Sequence, residues 1–209
     1  DNLVLDFESE PLLARINRFR SAPISDIAIC TELDIALKKG WNIARARQEL
    51  RGSKDMPSHV KPFLYRPFDF RLIFYHKAVV FSAAYPVMRN LLARRNLALV
   101  ATRQTKDQWD VQCTRSLVGH KSLGAYDANS VFPLYLSDAQ FSLNFDLDDT
   151  VNMNGDFIRR FETILYSLEE RSVPLNPETI FNYAYAVFHS PNYRSRYAEF
   201  LKIDFPRLP

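Results

Sequence analysis

The chain has 209 residues, of which 47% are hydrophobic and 24% charged, and its formal net charge is +3; this predicts one globular domain or two small packed ones. No run of about 18 apolar residues occurs and no basic, hydrophobic leader opens the chain, which argues against a membrane span or a secretion signal. Two cysteines, Cys30 and Cys113, cannot form a disulfide framework and fit a reducing compartment, so we expect a cytoplasmic protein with no membrane partner.

The first sixty residues are helix-prone. Apolar residues recur at helical spacing over residues 12–19, and residues 32–50 predict a helix in two pieces that breaks at Gly40. A polar, turn-rich loop follows at residues 52–58. We therefore predict an N-terminal helical part over residues 1–60, with a subdomain boundary at this loop.

From Lys61 the pattern changes to short runs rich in Val, Ile, Phe and Tyr, separated by polar turns, which is typical of β-strands. One helical interruption begins at Pro86. We predict a basic, sheet-rich recognition core over residues 61–137. The predicted strands are 70–75, 79–81, 97–102, 109–114 and 131–136.

The last part of the chain is helical again. A helix is expected to begin at Asn154 or Asp156. Asn176 and Ser190 each stand directly before a proline, and this pair of residues caps and opens a helix. We predict a C-terminal helical part over residues 138–209.

The order of these elements predicts an α+β fold, with a central twisted, mainly antiparallel sheet, N-terminal helices and a C-terminal helical bundle. Residues 61–209 are expected to form one compact unit. Fold class does not specify function, which has to be argued from charge and from particular residues.

Charge is distributed unevenly along the chain. Residues 61–125 hold eleven Lys or Arg and three Asp or Glu, whereas residues 126–209 hold seven and twelve. Such a concentration of positive charge predicts a polyanionic partner, for which nucleic acid is the natural candidate. The alternative is that the basic stretch pairs with the acidic last third inside the fold.

Motifs for catalysis and for metal binding are missing from the sequence. Glycine occurs only five times, and the phosphate-binding, dinucleotide-binding and serine-nucleophile glycine motifs do not occur. The four histidines lack the paired ligands that zinc needs. The acidic stretch at 146–155 fits no calcium loop, because Phe161 stands where the last carboxylate is required. We therefore predict a non-catalytic chain without a cofactor or a metal of its own.

Two polar tracts follow predicted strands and are candidates for DNA contact. Arginine suits guanine and glutamine suits adenine in the major groove, since each side chain can form a two-bond fork, while hydroxyl groups and lysines suit phosphates. In the second tract, Gly119 permits close backbone approach. The alternative is that both tracts are solvated hairpin turns. The candidate residues are Arg103, Gln104, Thr105 and Lys106 in the first tract and Arg115, His120, Lys121 and Ser122 in the second.

Three strings carry a resemblance to a known family. They are Tyr-Arg-Pro-Phe-Asp-Phe-Arg at 65–71, Phe-Pro-Leu-Tyr-Leu at 132–136, and Ile-Phe-Asn-Tyr-Ala-Tyr-Ala-Val-Phe-His-Ser-Pro at 180–191, with an Asp-Phe-Pro-Arg tail at 204–207. In order and spacing they resemble the C-terminal specificity region of single-polypeptide type I (type ISP) restriction-modification enzymes. The resemblance runs from about residue 34 to the end.

The resemblance implies that this region is the target recognition domain of a longer polypeptide, and the chain's start inside an apolar stretch without a methionine fits such a piece. In that family a nuclease, a helicase-like ATPase and an adenine N6-methyltransferase lie upstream. The implied partners are duplex DNA and the methyltransferase domain of the same polypeptide. S-adenosylmethionine, ATP and magnesium would belong to the upstream parts, and base-contacting residues do not carry over.

Two other functions remain open. The chain can be a protein–protein docking module without direct DNA contact, in which aromatic C-terminal helices bind a partner and the basic sheet balances the acidic tail. The third hypothesis is an enzyme with an unrecognised site.

Four polar residues of the recurring strings have structural interpretations. Arg66, Asp69 and Arg71 are expected to form an ion-pair network at the start of the sheet rather than to contact bases. His189 is expected to cap the C-terminus of a helix.

Overall fold

The computed structural model describes residues 2–36, 38–81, 83–92, 96–106, 108–124, 127–137, 150–167 and 175–208. The described residues form two compact units. The first contains Asp1–Ala84 and Ser116–Gly119, and the second contains Tyr85–Arg115 and His120–Pro209. No helix within the described ranges is long and apolar enough to cross a membrane.

Helices and short strands alternate along the chain. The helices are α1 (Ser9–Ser21), α2 (Asp26–Glu32), α3 (Ile43–Gly52), α4 (Tyr85–Leu92), α5 (Gly155–Ser167), α6 (Pro177–His189), α7 (Pro191–Arg196) and α8 (Ala198–Leu201), with a 3-10 turn at Pro57–His59. The strands are β1 (Leu5–Asp6), β2 (Val60–Arg66), β3 (Asp69–Phe74), β4 (Ala98–Thr102), β5 (Val111–Thr114), β6 (Leu117–Val118), β7 (Asn129–Pro133), β8 (Tyr135–Leu136) and β9 (Thr150–Val151).

The first unit packs helices α1 to α3 with a four-stranded sheet in the order β1-β3-β2-β6. β2 and β3 form an antiparallel hairpin, and β6 pairs with β2 in parallel. Leu12, Ile16 and Phe19 of α1 are fully buried, as their helical spacing predicts, and they share a core with Leu50 and Phe74.

A buried arginine ties the helices of the first unit together. The Arg47 side chain is 4% exposed and donates hydrogen bonds to the carbonyl oxygens of Phe19, Ala22 and Ile24. Its Nη1 also lies 2.6 Å from Oδ1 of Asp26. One guanidinium therefore satisfies carbonyl groups in the last turn of α1 and just beyond it, and holds α2 beside α3.

The second unit contains a three-stranded antiparallel sheet in the order β5-β4-β7 and a two-stranded sheet of β8 and β9. Its C-terminal helices begin where the sequence predicts: the side chains of Asn176 and Ser190 cap α6 and α7, and Asn154 accepts hydrogen bonds at the start of α5. Trp109 and Val111 are buried in one core with residues of these helices, which are Phe188, Tyr193 and Leu201.

The predicted α+β class with mainly antiparallel strands is confirmed, but the strands are divided between the two units. The boundary at residues 84 and 85 lies inside the predicted 61–137 core, because β2 and β3 pair with β1 and β6 rather than with β4. The structure thus differs from the predicted grouping of residues 61–209 into one unit.

Two local predictions were wrong. Residues 79–81 form no strand. The predicted helix piece before Gly40 is replaced by α2, which ends at Glu32, and Gly40 itself adopts a φ of 86°. Asp34, two residues after the end of α2, has a φ of 50°; a residue in this left-handed region ends regular helical geometry, which explains why α2 does not continue toward Gly40.

Replacing Arg47 with alanine should strongly destabilise the first unit. The substitution leaves buried carbonyl groups without a donor, and we expect a loss of about 3 kcal/mol or more in the free energy of unfolding. Urea unfolding measures this loss. Arg45→Ala on the same helix removes only an exposed i,i+4 pair with Glu49 and should cost less than about 0.5 kcal/mol; equal losses in the two variants would contradict this role of Arg47.

The stability of the first unit should also fall in mild acid. Burial lowers the pKa of His76, and the nearby His59, whose ring centroid lies 4.8 Å away, lowers it further; Glu49 opposes and Lys77 adds to these effects. His76 therefore binds a proton at a lower pH in the folded state than in the unfolded state. Its contribution to the free energy of unfolding is complete above the unfolded pKa of about 6.5 and decreases as the pH drops below that value.

A His76→Asn variant tests this assignment. The Nδ1 atom of His76 accepts a hydrogen bond from the Ala78 N–H at 3.1 Å, and the asparagine oxygen can replace that acceptor without titrating. Between about pH 7 and pH 5, the melting temperature of the variant should fall much less than that of the unmodified chain. An unchanged pH profile would show that another group is responsible.

Candidate nucleic-acid interface

The loop before β7 is folded back against the end of β4. Thr102, the last residue of β4, pairs with Asn129, the first residue of β7. The Asn129 side chain accepts a hydrogen bond from the Ser122 N–H at 2.7 Å, and its backbone N–H donates to the carbonyl of His120 at 3.1 Å. Antiparallel pairing therefore places residues 103–106 and residues 120–122 at the same end of one sheet.

The turn after β4 is anchored on both sides. The Thr105 N–H donates to the carbonyl of Lys202 at 3.0 Å, and the Lys106 N–H donates to Oδ2 of Asp127 at 3.3 Å. Behind the turn, Nε1 of the buried Trp109 donates to the carbonyl of Thr102 at 3.3 Å. These bonds fix the backbone, so the side chains of the turn project from a rigid support.

The C-terminal tail that supports this turn is itself clamped. The Tyr193 hydroxyl donates to the carbonyl of Arg207 at 2.7 Å and accepts from the Arg207 N–H at 3.2 Å. Phe205 packs edge-on against Phe132 of β7, with ring centroids 5.4 Å apart. The recurring Asp-Phe-Pro-Arg tail therefore packs beside the sheet and places Asp204 next to the β4 turn.

Five of the predicted side chains form what we call the β4-end surface. All are exposed, and they combine two hydrogen-bonding groups suited to base edges with two lysines and an imidazole suited to phosphates. The β4-end surface consists of Arg103, Gln104, Lys106, His120 and Lys121.

Asp204 gives this surface a negative partner. Oδ1 of Asp204 lies 3.5 Å from Nε of Arg103, and Oδ2 lies 3.6 Å from Nη2 of Arg207. The pKa of Asp204 is lowered, chiefly because the Phe205 N–H donates to its carboxylate and further because of Arg103. Pairing of the basic middle with the acidic last third is thus realised at Arg103, but this side chain stays 70% exposed.

The contact with Asp204 is made at Nε of Arg103. The guanidinium also carries two Nη groups, which have the geometry to form a fork with the O6 and N7 atoms of guanine. Asp204 is therefore placed to orient Arg103 as well as to reduce its charge.

Three predicted contact residues do not join this surface. Arg115 follows β5, whose last residue, Thr114, pairs with Ala98 at the start of β4; a strand of this length puts Thr114 about 13 Å from the Thr102 end of β4, and Arg115 lies one residue farther away. Ser122 is 0% exposed, so its side chain is not available to a phosphate. Thr105 is partly buried, and its backbone bonds to Lys202.

The second tract is not the hairpin turn that the sequence allowed. Leu117 and Val118 form β6, are buried, and pair with Phe63 and Leu64 of β2. The Gly119 N–H continues this pairing by donating to the carbonyl of Leu64 at 3.2 Å. Residues 116–119 therefore belong to the sheet of the first unit, and Gly119 serves strand pairing there.

The polar residues of the β2–β3 hairpin interact as predicted. Arg71 forms a fork with Asp69, with N–O distances of 2.7 and 3.0 Å, and this fork lowers the pKa of the Asp69 carboxyl. The charge of Arg66 lowers the same pKa further, and Arg66 also lies over the Tyr65 ring at 4.6 Å and donates to the Tyr65 carbonyl.

His189 differs from its predicted role as a helix cap. Arg194 donates to its Nδ1 at 3.3 Å, so Nε2 carries the proton and donates to the carbonyl of Val111 at 3.1 Å. Arg194 also pairs with Asp110 at 3.0 Å. His189 therefore joins the end of α6 to β5.

Sequence reasoning missed Asn129 and Asp204 as organisers of the β4-end surface. An asparagine at a strand start and an aspartate near a chain end carry no local signal, because their partners are distant in sequence. The acidic residues 146–149 that were tested for calcium binding lie outside the described residues.

Among solved structures, the DrdV–DNA complex determined by cryo-EM is similar to this chain, with 21% identity and a TM-score of 0.68 over 100% of this chain and 20% of that one. LlaBIII, an ATP-dependent Type ISP restriction-modification enzyme bound to DNA, matches with 19% identity and a TM-score of 0.65; the match covers 100% of this chain and 14% of that one. A nuclease-deletion mutant of the Type ISP enzyme LlaGI, in complex with a DNA substrate mimic, matches with 18% identity and a TM-score of 0.61; the match covers 100% of this chain and 19% of that one.

These similarities show a shared fold, and the chain spans no more than 20% of the length of any of the three proteins. No curated protein matches the sequence. The sequence model of the Type ISP C-terminal specificity domain matches residues 1–209. With its three recurring strings and the fold described above, the chain belongs to the Type ISP C-terminal specificity domain family.

Proposed function

We propose that this chain binds duplex DNA and reads a short sequence in the major groove through the β4-end surface. The observation that carries the proposal is the fixed turn after β4, which presents Arg103 and Gln104 beside Lys106 on a rigid backbone. Membership in a specificity-domain family and the DNA in the three similar structures support it. In a longer polypeptide the chain would place a target adenine for extrusion into a methyltransferase pocket.

We further propose that the chain is non-catalytic and acts in the cytoplasm. Its contribution would be recognition, while S-adenosylmethionine, ATP and magnesium serve domains upstream. Lys106, His120 and Lys121 would contact phosphates and set the register of the protein on DNA. Arg115 and Ser122 are left out of this contact set because of their positions.

DNA binding should be strongly salt-dependent. Each neutralised phosphate should lower the logarithm of the affinity by about 0.9 per tenfold increase in salt concentration. Fluorescence anisotropy with a labelled random-sequence duplex, measured between about 50 and 200 mM salt, tests this expectation. If the chain retained no duplex at about 50 mM salt, direct DNA binding by this chain would be excluded.

Substitutions at Arg103 and Lys106 should separate base reading from phosphate binding. Arg103→Ala should lower discrimination between a selected duplex and a scrambled one by about 1–3 kcal/mol, because a two-bond fork to one base is lost. Lys106→Ala should weaken binding to both duplexes equally. Competition titrations measure both effects, and equal losses on both duplexes for Arg103→Ala would remove Arg103 from the base-reading residues.

Substitution of Asp204 should change specific and non-specific binding in opposite directions. Asp204→Asn removes a negative charge beside Arg103, so affinity for scrambled DNA should rise about two- to fivefold. Discrimination should fall, because Arg103 loses its orienting partner. Arg207→Ala is the matched control, since it removes the other cation that contacts Asp204. Parallel changes on both duplexes would show that Asp204 contributes only charge.

A docking function for the C-terminal helices has one specific observation in its favour. Ile164 on α5 is 56% exposed and Tyr183 on α6 is 39% exposed, and the Tyr183 ring lies 5.2 Å from that of Phe161. These apolar groups would suit the methyltransferase domain of the same polypeptide. Docking of this kind is compatible with DNA binding, because the β4-end surface uses other residues.

A further inference from the structure

The turn of the β2–β3 hairpin holds an exposed phenylalanine in an unfavourable backbone conformation. Arg66 pairs with Asp69, so Pro67 and Phe68 form a two-residue turn. Phe68 has a φ of 62°, and its side chain is 85% exposed. Proline suits the first position of such a turn, whereas the second position calls for glycine or asparagine when φ is positive.

Neither local preference nor packing explains a phenylalanine at this position. A bulky L-residue in the left-handed region is strained by contact between its Cβ and the backbone. A ring that is 85% exposed gains little from burial that would offset this strain. Strained, exposed residues of this kind are typical of functional sites, where the conformation serves contact with a partner.

The base of the hairpin is held by contacts among its side chains, which support the turn that carries Phe68. The Tyr65 ring contacts two guanidinium groups, with Arg71 at 4.0 Å and Arg66 at 4.6 Å from its centroid. Arg71 is held in turn by its fork with Asp69 and lies 4.9 Å from the ring of Phe7.

The charge around the turn favours a polyanion over an apolar protein pocket. Near the turn the hairpin carries two cations, Arg66 and Arg71, and one carboxylate, Asp69, while Lys61 lies at the far end of β2, where it pairs with Ile73. An exposed aromatic ring on a turn with guanidinium groups at its base matches nucleic acid, because the ring can stack on bases while the cations approach phosphates. A pocket for an apolar side chain alone would not need this charge.

We propose that Phe68 is a wedge that stacks on the bases of duplex DNA, at a contact separate from the β4-end surface. The inference rests on the proposed DNA binding and adds a second point of contact, in the first unit of the chain. Apolar side chains that enter a base step partly unstack it and kink the duplex. The Phe68 ring would act in this way, with Arg66 positioned for the flanking phosphates.

The wedge is tested with variants that keep the fold. Phe68→Asn removes the ring and tolerates positive φ, so its melting temperature should equal or exceed that of the unmodified chain. Phe68→Trp keeps an aromatic surface. Phe81→Asn is the matched control, since Phe81 is 78% exposed in the same unit and has no positive φ.

The probe is a duplex of about 30 base pairs, selected from a random pool by the unmodified chain and carrying 2-aminopurine at successive positions. Phe68→Asn should lower the affinity about tenfold and abolish the rise in 2-aminopurine fluorescence that accompanies unstacking. Phe68→Trp should bind within about threefold of the unmodified chain, and Phe81→Asn should bind as the unmodified chain does.

The outcomes separate the two proposals. Unchanged affinity and fluorescence in Phe68→Asn, with duplex binding intact, would overturn the wedge and leave DNA binding standing. An equal loss in Phe81→Asn would also overturn it, because any exposed ring would then suffice. Failure of the unmodified chain to bind any duplex would overturn the proposed function and the wedge together.

Discussion

The candidate interface depends on one long-range hydrogen bond and on the clamp that maintains it. The Thr105 N–H donates to the carbonyl of Lys202, and the segment after Lys202 is held in place because Tyr193 bonds to the backbone of Arg207. A turn between strands would otherwise be the most mobile part of the sheet. Its attachment to the C-terminal helices fixes the backbone of the turn before DNA binds, so the ordering cost of base recognition falls mainly on the long side chains.

The positions of individual charged side chains matter more for the proposed DNA recognition than the net charge of the chain does. The basic residues of 61–125 belong to both units, so neither unit contains all of this positive charge. In the second unit it appears as the β4-end surface, where the Asp204 carboxylate both offsets and orients Arg103. In the first unit it surrounds the β2–β3 hairpin, where Tyr65 separates two guanidinium groups. The arginines Arg103, Arg66 and Arg71 each have a neighbour that limits their freedom, a feature that favours recognition over general attraction.

Most of the architecture was predictable from local patterns. Helical periodicity and capping residues located α1, α5, α6 and α7, and runs of β-branched and aromatic residues located β3, β4 and β5. The division into units was not predictable, because it follows from pairing with β1 and β6. Each of these strands has only two residues, which is too short to produce a periodic signal.

The same distinction applies to the candidate site. Residue type and turn chemistry identified Arg103, Gln104 and Lys106 as groups able to read bases or hold phosphates. Strand register then decided which other candidates join them: pairing of Thr102 with Asn129 brings in the loop with His120, whereas pairing of Ala98 with Thr114 sends Arg115 to the opposite end. The ability to form a given hydrogen bond or ion pair is a property of each side chain, so it can be inferred from the sequence. Proximity arises from hydrogen bonds between segments far apart in the chain, so only the folded structure could establish it.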